Sequence, residues 1–490
     1  MPKVKSSYSN RLRGFVKEFG EHVLTTDGSI LYCKLCEVKI GSERRFTVEQ
    51  HMNTAKHIRL SKQKEKNDKQ QLISNTRISS FNLDLCRALT SANIPLNKVN
   101  NAIFRDFLEK YTGKEIPDES TIRKNYLSEC YQETMNKIRS YVTDKKIWVS
   151  IDETTDCEGR YIANVVVGIL EKNESGKIFL LTSEQLERAN FSTISKLFDK
   201  SMNLLWPNDV LHDNVLLFLT DAAPYMVKAA NSLKALYSKM VHVTCLAHAH
   251  HRVAEKIRGS FKKVDELISN AKKVFLKAPS RIQIFKDEAP AVPLPPTPVI
   301  TRWGTWLDAA VYYADHLTDI RKVFNKLDPE DAVAIQKCHT LLNDPSLEAN
   351  LVYIQSNYGF LSVNITRLES SGQLLSEAIS IVNNTIDNIN KAGGQIGNEV
   401  CSKFKTILEK NSGFKTVCQI SKVLNGELEI IERIDEELTA EDFVFFKFSP
   451  ITSVEVERSF SRFKNVLAPN RRRFTTEHLK QTLIIQCNSF

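Results

Sequence analysis

Ile147-Trp148-Val149-Ser150-Ile151-Asp152 and Val215-Leu216-Leu217-Phe218-Leu219-Thr220-Asp221 are the two stretches whose reading decides the fold. Each is a near-continuous apolar run ending in an aspartate, the pattern of a strand buried on both faces. Open α/β sheets gather ligands and metals at the carboxyl ends of such strands, so two acids at that edge could share a metal ion. Strands also end in Asp where the chain simply turns back into water. The surrounding segments have to decide between these readings.

Outward from the first run, Tyr161 to Leu170 is rich in β-branched residues, and Lys177 to Thr182 follows a turn at Asn173-Glu174-Ser175-Gly176-Lys177. Together with the first run they predict a three-stranded meander. A helix over Thr193 to Leu205 is predicted before the second run, and another over Tyr225 to Lys239 after it. A short strand, Met240 to Thr244, and a helix from about Leu246 to Phe261 complete the series. Three strands, helix, strand, helix, strand, helix is the order of an α/β ribonuclease H-like core. In that fold the first and fourth strands are neighbours, so Asp152 and Asp221 are expected to face one metal site.

The chain has 490 residues, 42% of them hydrophobic, enough to bury a sizeable core. Its net charge is +9, yet residues 1–80 alone carry a net +8. Positive charge concentrated there would attract a polyanion, and nucleic acid is the expected one. The ten cysteines are mostly scattered singly, as in a reducing compartment. Neither a membrane-spanning run nor a secretory apolar stretch is read from the sequence, so a soluble intracellular protein without a membrane partner is expected.

Cys33 and Cys36 form the one close cysteine pair, and with His51 and His57 they give the spacing C-x2-C-x14-H-x5-H. Two thiolates on a tight turn and two imidazoles on one helix can converge tetrahedrally on Zn²⁺. Such a site holds a small fold together and implies no catalysis. The histidine helix is expected to run on into Arg59, Lys62, Lys64, Lys66 and Lys69, a solvated linker or a nuclear localisation signal. From Phe81 to about Ser140 apolar residues recur at spacings of three and four (Leu83, Cys86, Leu89; Ile103, Phe107, Tyr111), which predicts a small helical region.

With Ala92-Asn93-Ile94-Pro95-Leu96 and Thr121-Ile122-Arg123-Lys124-Asn125-Tyr126-Leu127, this BED-like finger resembles the CGG triplet repeat-binding protein family. That family is similar in turn to the N-terminal parts of hAT-superfamily transposases, which implies DNA binding by the finger. Over nearly its full length the chain resembles the hAT transposases themselves. The resemblance is carried by Ser150-Ile151-Asp152-Glu153-Thr154-Thr155-Asp156, Leu219-Thr220-Asp221-Ala222-Ala223, Cys245-Leu246-Ala247-His248, Thr301-Arg302-Trp303, and the segment from Ser449 through Glu455-Val456-Glu457-Arg458-Ser459-Phe460-Ser461, in the family order.

The resemblance implies a third acid on a late helix. Glu455 and Glu457 both flank the apolar stripe Val456, Phe460, Phe463, Leu467, so periodicity does not choose between them. Thr452-Ser453-Val454-Glu455 has capping-box spacing, which assigns Glu455 to the helix start. Alignment on the Glu-Arg-Ser-Phe-Ser segment selects Glu457. Asp152, Asp221 and Glu457 are then the expected DDE triad, holding Mg²⁺ or Mn²⁺. Two ions roughly 4 Å apart activate the attacking oxygen and stabilise the leaving one, so cleavage and strand transfer proceed by in-line displacement. Hairpin-forming excision is implied, as is attack of freed 3′-OH ends on target DNA. Glu153 and Asp156 are read as supporting acids or, more simply, as solvated loop residues.

Cys245 and His248 are expected near the active site without a metal of their own, although His250 and His251 are close in sequence. Trp303, beside Arg302, resembles the tryptophan on which hAT enzymes stack a flipped base; a core position beside Trp306 is the plain alternative. Arg471, Arg472 and Arg473 could meet phosphates. The expected organisation is a zinc finger (1–60), a basic linker (61–80), a helical dimerisation or DNA-binding region (81–140), the first part of the ribonuclease H-like core (141–290), a helical insertion short for that family (291–440), and the last core part with an apolar subunit interface (441–490). The function implied is a nuclear DNA transposase, at least dimeric, acting on terminal inverted repeats and target DNA. A domesticated nuclear DNA-binding regulator without cleavage activity is the alternative.

Overall fold

A computed structural model describes residues 8–67, 79–299, 303–427, 436–467 and 474–488, without the side chains of 62–67 and 303. Arg302 and Arg471 to Arg473 lie outside the described residues, as does the Trp303 side chain. The chain divides into two compact units, residues 1–78 and 79–490.

The first unit begins with helix α1 (Tyr8–Phe19), followed by an antiparallel sheet of β1 (Leu24–Thr26), β2 (Leu31–Cys33) and β3 (Val38–Ile40). Helices α2 (Arg45–Met52) and α3 (Ala55–Asn67) close it. Leu12, Leu24, Leu31 and Val48 are fully buried at its centre. The single histidine-bearing helix expected from the sequence is in fact two. Asn53 and Thr54 separate them, and the Thr54 hydroxyl accepts from the His57 backbone N–H at 3.3 Å, capping α3.

The second unit opens with helices α4 (Ser80–Ser91), α5 (Ala102–Thr112), α6 (Glu119–Asn125) and α7 (Leu127–Val142). The stripe Ile103, Phe107, Tyr111 falls on α5, a helix as its spacing predicts, but faces away from the core. These side chains are 81%, 55% and 70% exposed, because α5 turns this face to solvent and packs Phe104 and Leu108 inward.

Next come β4 (Lys146–Thr155), β5 (Tyr161–Leu170) and β6 (Ile178–Leu186), an antiparallel meander, then α8 (Phe191–Leu205), β7 (Val215–Thr220), α9 (Pro224–Leu233), β8 (Val241–Thr244) and α10 (Leu246–Ser260). The sheet order is β6-β5-β4-β7-β8, with β4, β7 and β8 mutually parallel. Every residue of β7 is fully buried, as its unbroken apolar run requires. Gly168 lies opposite Trp148, and a Cβ there would sit 2.1 Å from the indole, so only glycine lets the ring lie across the strand.

On each edge strand of this sheet an asparagine amide pairs with the backbone of one residue. Asn488 accepts from the Leu180 N–H at 3.0 Å and donates to its carbonyl at 2.8 Å on β6; Asn411 does the same for Thr244 on β8, at 3.2 and 2.7 Å. Each amide mimics a neighbouring strand at that one residue.

The rest is helical: α11 (Lys262–Phe275), α12 (Pro279–Glu288), α13 (Trp303–Asp315), α14 (Leu317–Phe324), α15 (Val333–Leu342), α16 (Pro345–Tyr358), α17 (Phe360–Leu368), α18 (Leu375–Asn390), α19 (Gly394–Glu409), α20 (Ser412–Leu424), α21 (Ala440–Phe443), α22 (Val454–Val466) and α23 (Thr476–Cys487). The second unit is thus mixed α/β and mostly helical, around one mixed sheet. Phe446, Leu479, Leu483, Ile484 and Ile485 are buried in the chain's own core, and α23 packs on β6 and α7.

Candidate active site and metal centre

The parallel pairing of β4 with β7 sets Ser150 beside Leu219. Two residues further along each strand, the pleat brings Asp152 and Asp221 to the same edge. The Asp221 carboxylate accepts from the Ala223 N–H at 3.0 Å, which fixes the tight turn into α9. Asp152 accepts from the Glu153 N–H at 2.9 Å. The carboxyl of Asp152 is pushed up to about 7, first by burial and then by the neighbouring charges of Asp221 and Glu457, while His248 opposes the shift. Three acids and one imidazole from four separate elements therefore share one electrostatic environment.

Glu457 enters on α22, which packs on β4 and β5 through Val456, Phe460 and Phe463. His248, in the first turn of α10, places Nε2 3.3 Å from Glu457 Oε1. Burial would lower the His248 pKa, but Cys245, Glu457 and Asp152 together push it up to about 10. Cys245 is buried beneath it; burial would raise its thiol, but His248 and the Ser453 N–H, which donates to Sγ at 3.2 Å, bring it below the usual range. His248 is therefore a cation at neutral pH, aimed at a carboxylate. His250 turns away into the core, bonding the Leu246 carbonyl at 2.7 Å and Thr385 at 3.2 Å, and burial lowers it to about 4. His251 points to Glu369 at 3.5 Å. Cys245, His248, His250 and His251 do not converge as a metal set.

The two glutamates of α22 diverge. Glu455 does not close a capping box: Ser453 is the N-cap and makes no side-chain cap bond. The Glu455 carboxylate instead bonds the Ser371 hydroxyl and the Arg458 guanidinium. Arg458 also donates to the Glu369 carbonyl at 2.6 Å, tying α22 to the loop after α17. Glu457 is thus the one of the pair near Asp152.

Two further acids occupy different positions from the solvated loop first expected. Glu153 lies within β4, accepts from the Tyr225 hydroxyl, and is pushed up to about 8 by burial and by Asp152 and Asp221. The Asp156 side chain is only 1% exposed and takes two backbone N–H bonds at 2.9 Å and the Arg160 guanidinium at 2.7 Å. It holds the β4–β5 turn and is committed to that work. Trp306 is buried and donates to Asp265 at 3.1 Å.

In the first unit Cys33, Cys36, His51 and His57 bring one ligand atom each to within 4.8 Å of one another. Nδ1 of His57 lies 3.5 Å from Cys33 Sγ and 3.4 Å from Cys36 Sγ. His51 Nε2 is buried without a hydrogen-bond partner, and burial holds both imidazoles below their ordinary pKa, hence neutral. Neutral nitrogens and paired thiols in a tetrahedral-sized cluster could bind zinc. Among the described residues it is the only group of three or more such ligands this tight; the acids around Asp152 are more widely spaced.

Sequence reasoning did not reach Tyr225, Arg458, Asn164 or Ser459. The contacts that give them their roles, such as Tyr225 with Glu153 and Asn164 with Ser459, span tens to hundreds of residues.

Residues 117–274 match the family described as Domain of unknown function (DUF659), found in hAT-type transposase-like proteins, and residues 5–63 match the CGGBP1 N-terminal domain. CGG triplet repeat-binding protein 1 of Mus musculus is 28% identical over 131 residues, 24% of this chain and 78% of that protein. Its Homo sapiens counterpart is 27% identical over 134 residues, with the same coverage. No described helix is long and apolar enough to cross a membrane.

Proposed function

We propose that this chain is a hAT-type DNA transposase whose finger binds DNA and whose sheet edge cleaves it. The observation that carries the reading is that Asp152 and Asp221, at the edge of a β6-β5-β4-β7-β8 sheet, and Glu457 from α22 share one electrostatic environment, in which burial first and then the charges of Asp221 and Glu457 push Asp152 up to about 7. That strand order is the one expected of a ribonuclease H-like core. The DUF659 match spans this sheet, and the CGGBP1 match spans the finger, which supports DNA as the partner of both.

The donor set suits Mg²⁺ or Mn²⁺: all oxygen, surplus in negative charge, and open enough to close on an ion. Asp152, Asp221 and Glu457 would hold the metal, which when bound would stabilise charge developing on phosphate oxygens. The protein's own part is to hold Asp152 and Asp221 on rigid parallel strands and to present Glu457 from α22. His248, its pKa raised by Cys245, Glu457 and Asp152, stands 3.3 Å from Glu457 and helps hold that side chain in place. Glu153, kept largely neutral by burial, contributes a hydrogen-bonded acid beside the site without adding to its charge. The finger, with zinc on Cys33, Cys36, His51 and His57, supplies a basic DNA-binding module; nuclear location and a homodimer accompany this reading.

A duplex bearing transposon ends, incubated with purified protein and Mg²⁺, should be nicked. Asp152→Asn should abolish the product and leave binding intact. Binding without nicking by the unsubstituted protein would favour a regulator derived from a transposase.

A further inference from the structure

The triad needs Glu457 at one rotation of α22, and the apolar seam beneath that helix does not define one. Val456, Phe460, Phe463 and Val466 pack on β4 and β5, but an aliphatic and aromatic seam tolerates small slips. Rotation by one residue swings a side chain through about 100°, enough to carry Glu457 away from Asp152. Arg458 ties the outer face of the helix to the Glu369 carbonyl, and a directional bond is also needed on the face that meets the sheet.

Asn164 supplies it. It lies in β5 directly across from Asp152, fully buried among Val165, Val166 and the seam. Its Nδ2 donates to Ser459 Oγ at 2.7 Å, and that hydroxyl donates to the Val456 carbonyl at 2.5 Å within α22. Ser459 is two residues beyond Glu457 and is itself buried. The Asn164 Oδ1 has no hydrogen-bond partner, so this polar side chain is costly where it sits. Asparagine is also a poor strand former, and neither burial nor strand propensity explains it. A slip of α22 would leave the second half of the amide unpaired as well, a penalty that an apolar seam cannot impose. A single buried asparagine fixing the register of an otherwise apolar packing is a known physical device.

We propose that Asn164 and Ser459 are positioning residues: their hydrogen bond sets the rotation of α22 on the sheet and thereby places Glu457 against Asp152. This rests on the divalent-metal reading of the triad given above. It assigns one bond, formed between the strand neighbour of the first acid and the helix of the third, to hold the two ends of the triad together across nearly three hundred residues.

The test separates position from stability. Asn164→Leu with Ser459→Ala replaces both polar partners by apolar ones of similar size, so the full-length variant should keep its thermal transition. Its affinity for Mn²⁺, read from the free-ion electron paramagnetic resonance signal, should fall about tenfold, as for loss of a group that orients a ligand. Ser459→Ala alone, which leaves Asn164 in place, should move affinity the same way should the pair disturb folding. Folded variants binding Mn²⁺ as tightly as the unsubstituted protein, while Asp152→Asn does not bind, would overturn the positioning role. Equal binding by unsubstituted protein and Asp152→Asn would instead overturn the metal reading beneath it.

Discussion

Replacing Asp152 by Asn should stabilise the metal-free protein, and only at neutral to alkaline pH. The Asp152 carboxyl stands at about 7 in the folded chain against an ordinary 3.8. Three units at about 1.4 kcal/mol each set an upper bound of about 4 kcal/mol, and partial solvent access reduces this to about 2 kcal/mol. The unfolded carboxylate releases its proton near pH 4, the folded one near pH 7. Between these values the folded state holds the extra proton, so stability falls as pH rises through the window and the penalty is complete above it. Asparagine cannot ionise and escapes the penalty. Thermal unfolding in buffer free of Mg²⁺ and Mn²⁺ should therefore show Asp152→Asn melting about 3 °C above the unsubstituted protein at pH 8 and with no such gain near pH 4.5. Added Mn²⁺ should raise the unsubstituted protein at pH 8 and leave the variant unmoved. A gap of the same size at both pH values, or a variant less stable at pH 8, would refute the assignment of Asp152 to a buried site crowded with acids.

Three other outcomes follow. Cys36→Ser, or removal of zinc by a chelator, should unfold the first unit and abolish DNA binding in a gel-shift assay, because the apolar core around Leu12, Leu24, Leu31 and Val48 is small and the ligands sit within it. Glu457→Gln should eliminate nicking, whereas Glu455→Gln, which loses only the bonds to Ser371 and Arg458, should reduce it modestly; the reverse order would exchange their roles. Gly168→Ala should lower stability by about 1–3 kcal/mol in a denaturation curve, since the added methyl meets the Trp148 ring, and Trp148→Leu should relieve it.

The strands were the most legible part of the chain because full burial writes itself as an unbroken apolar run, as in β7 and the first half of β4. The finger ligands were legible because metal geometry fixes their spacing. Periodicity was less dependable for α5, since it reports that a helix has an apolar face and not that the face is covered. The break between α2 and α3 was marked by Thr54, three residues before His57, a capping signal masked by the expectation of one continuous helix. Glu455 and Glu457 could not be separated by pattern because both flank the same stripe; what distinguishes them is Ser371 and Arg458 on one side and His248 on the other. Asn164 reads as any residue of a strand, and its meaning lies in a partner 295 positions away.

Crystals of the protein grown with Mn²⁺ and measured at the manganese absorption edge bear most directly on the central claim. The account predicts an anomalous peak between the carboxylates of Asp152 and Asp221, with Glu457 turned toward it. No peak at that sheet edge, or one held by Glu455 in place of Glu457, would contradict it.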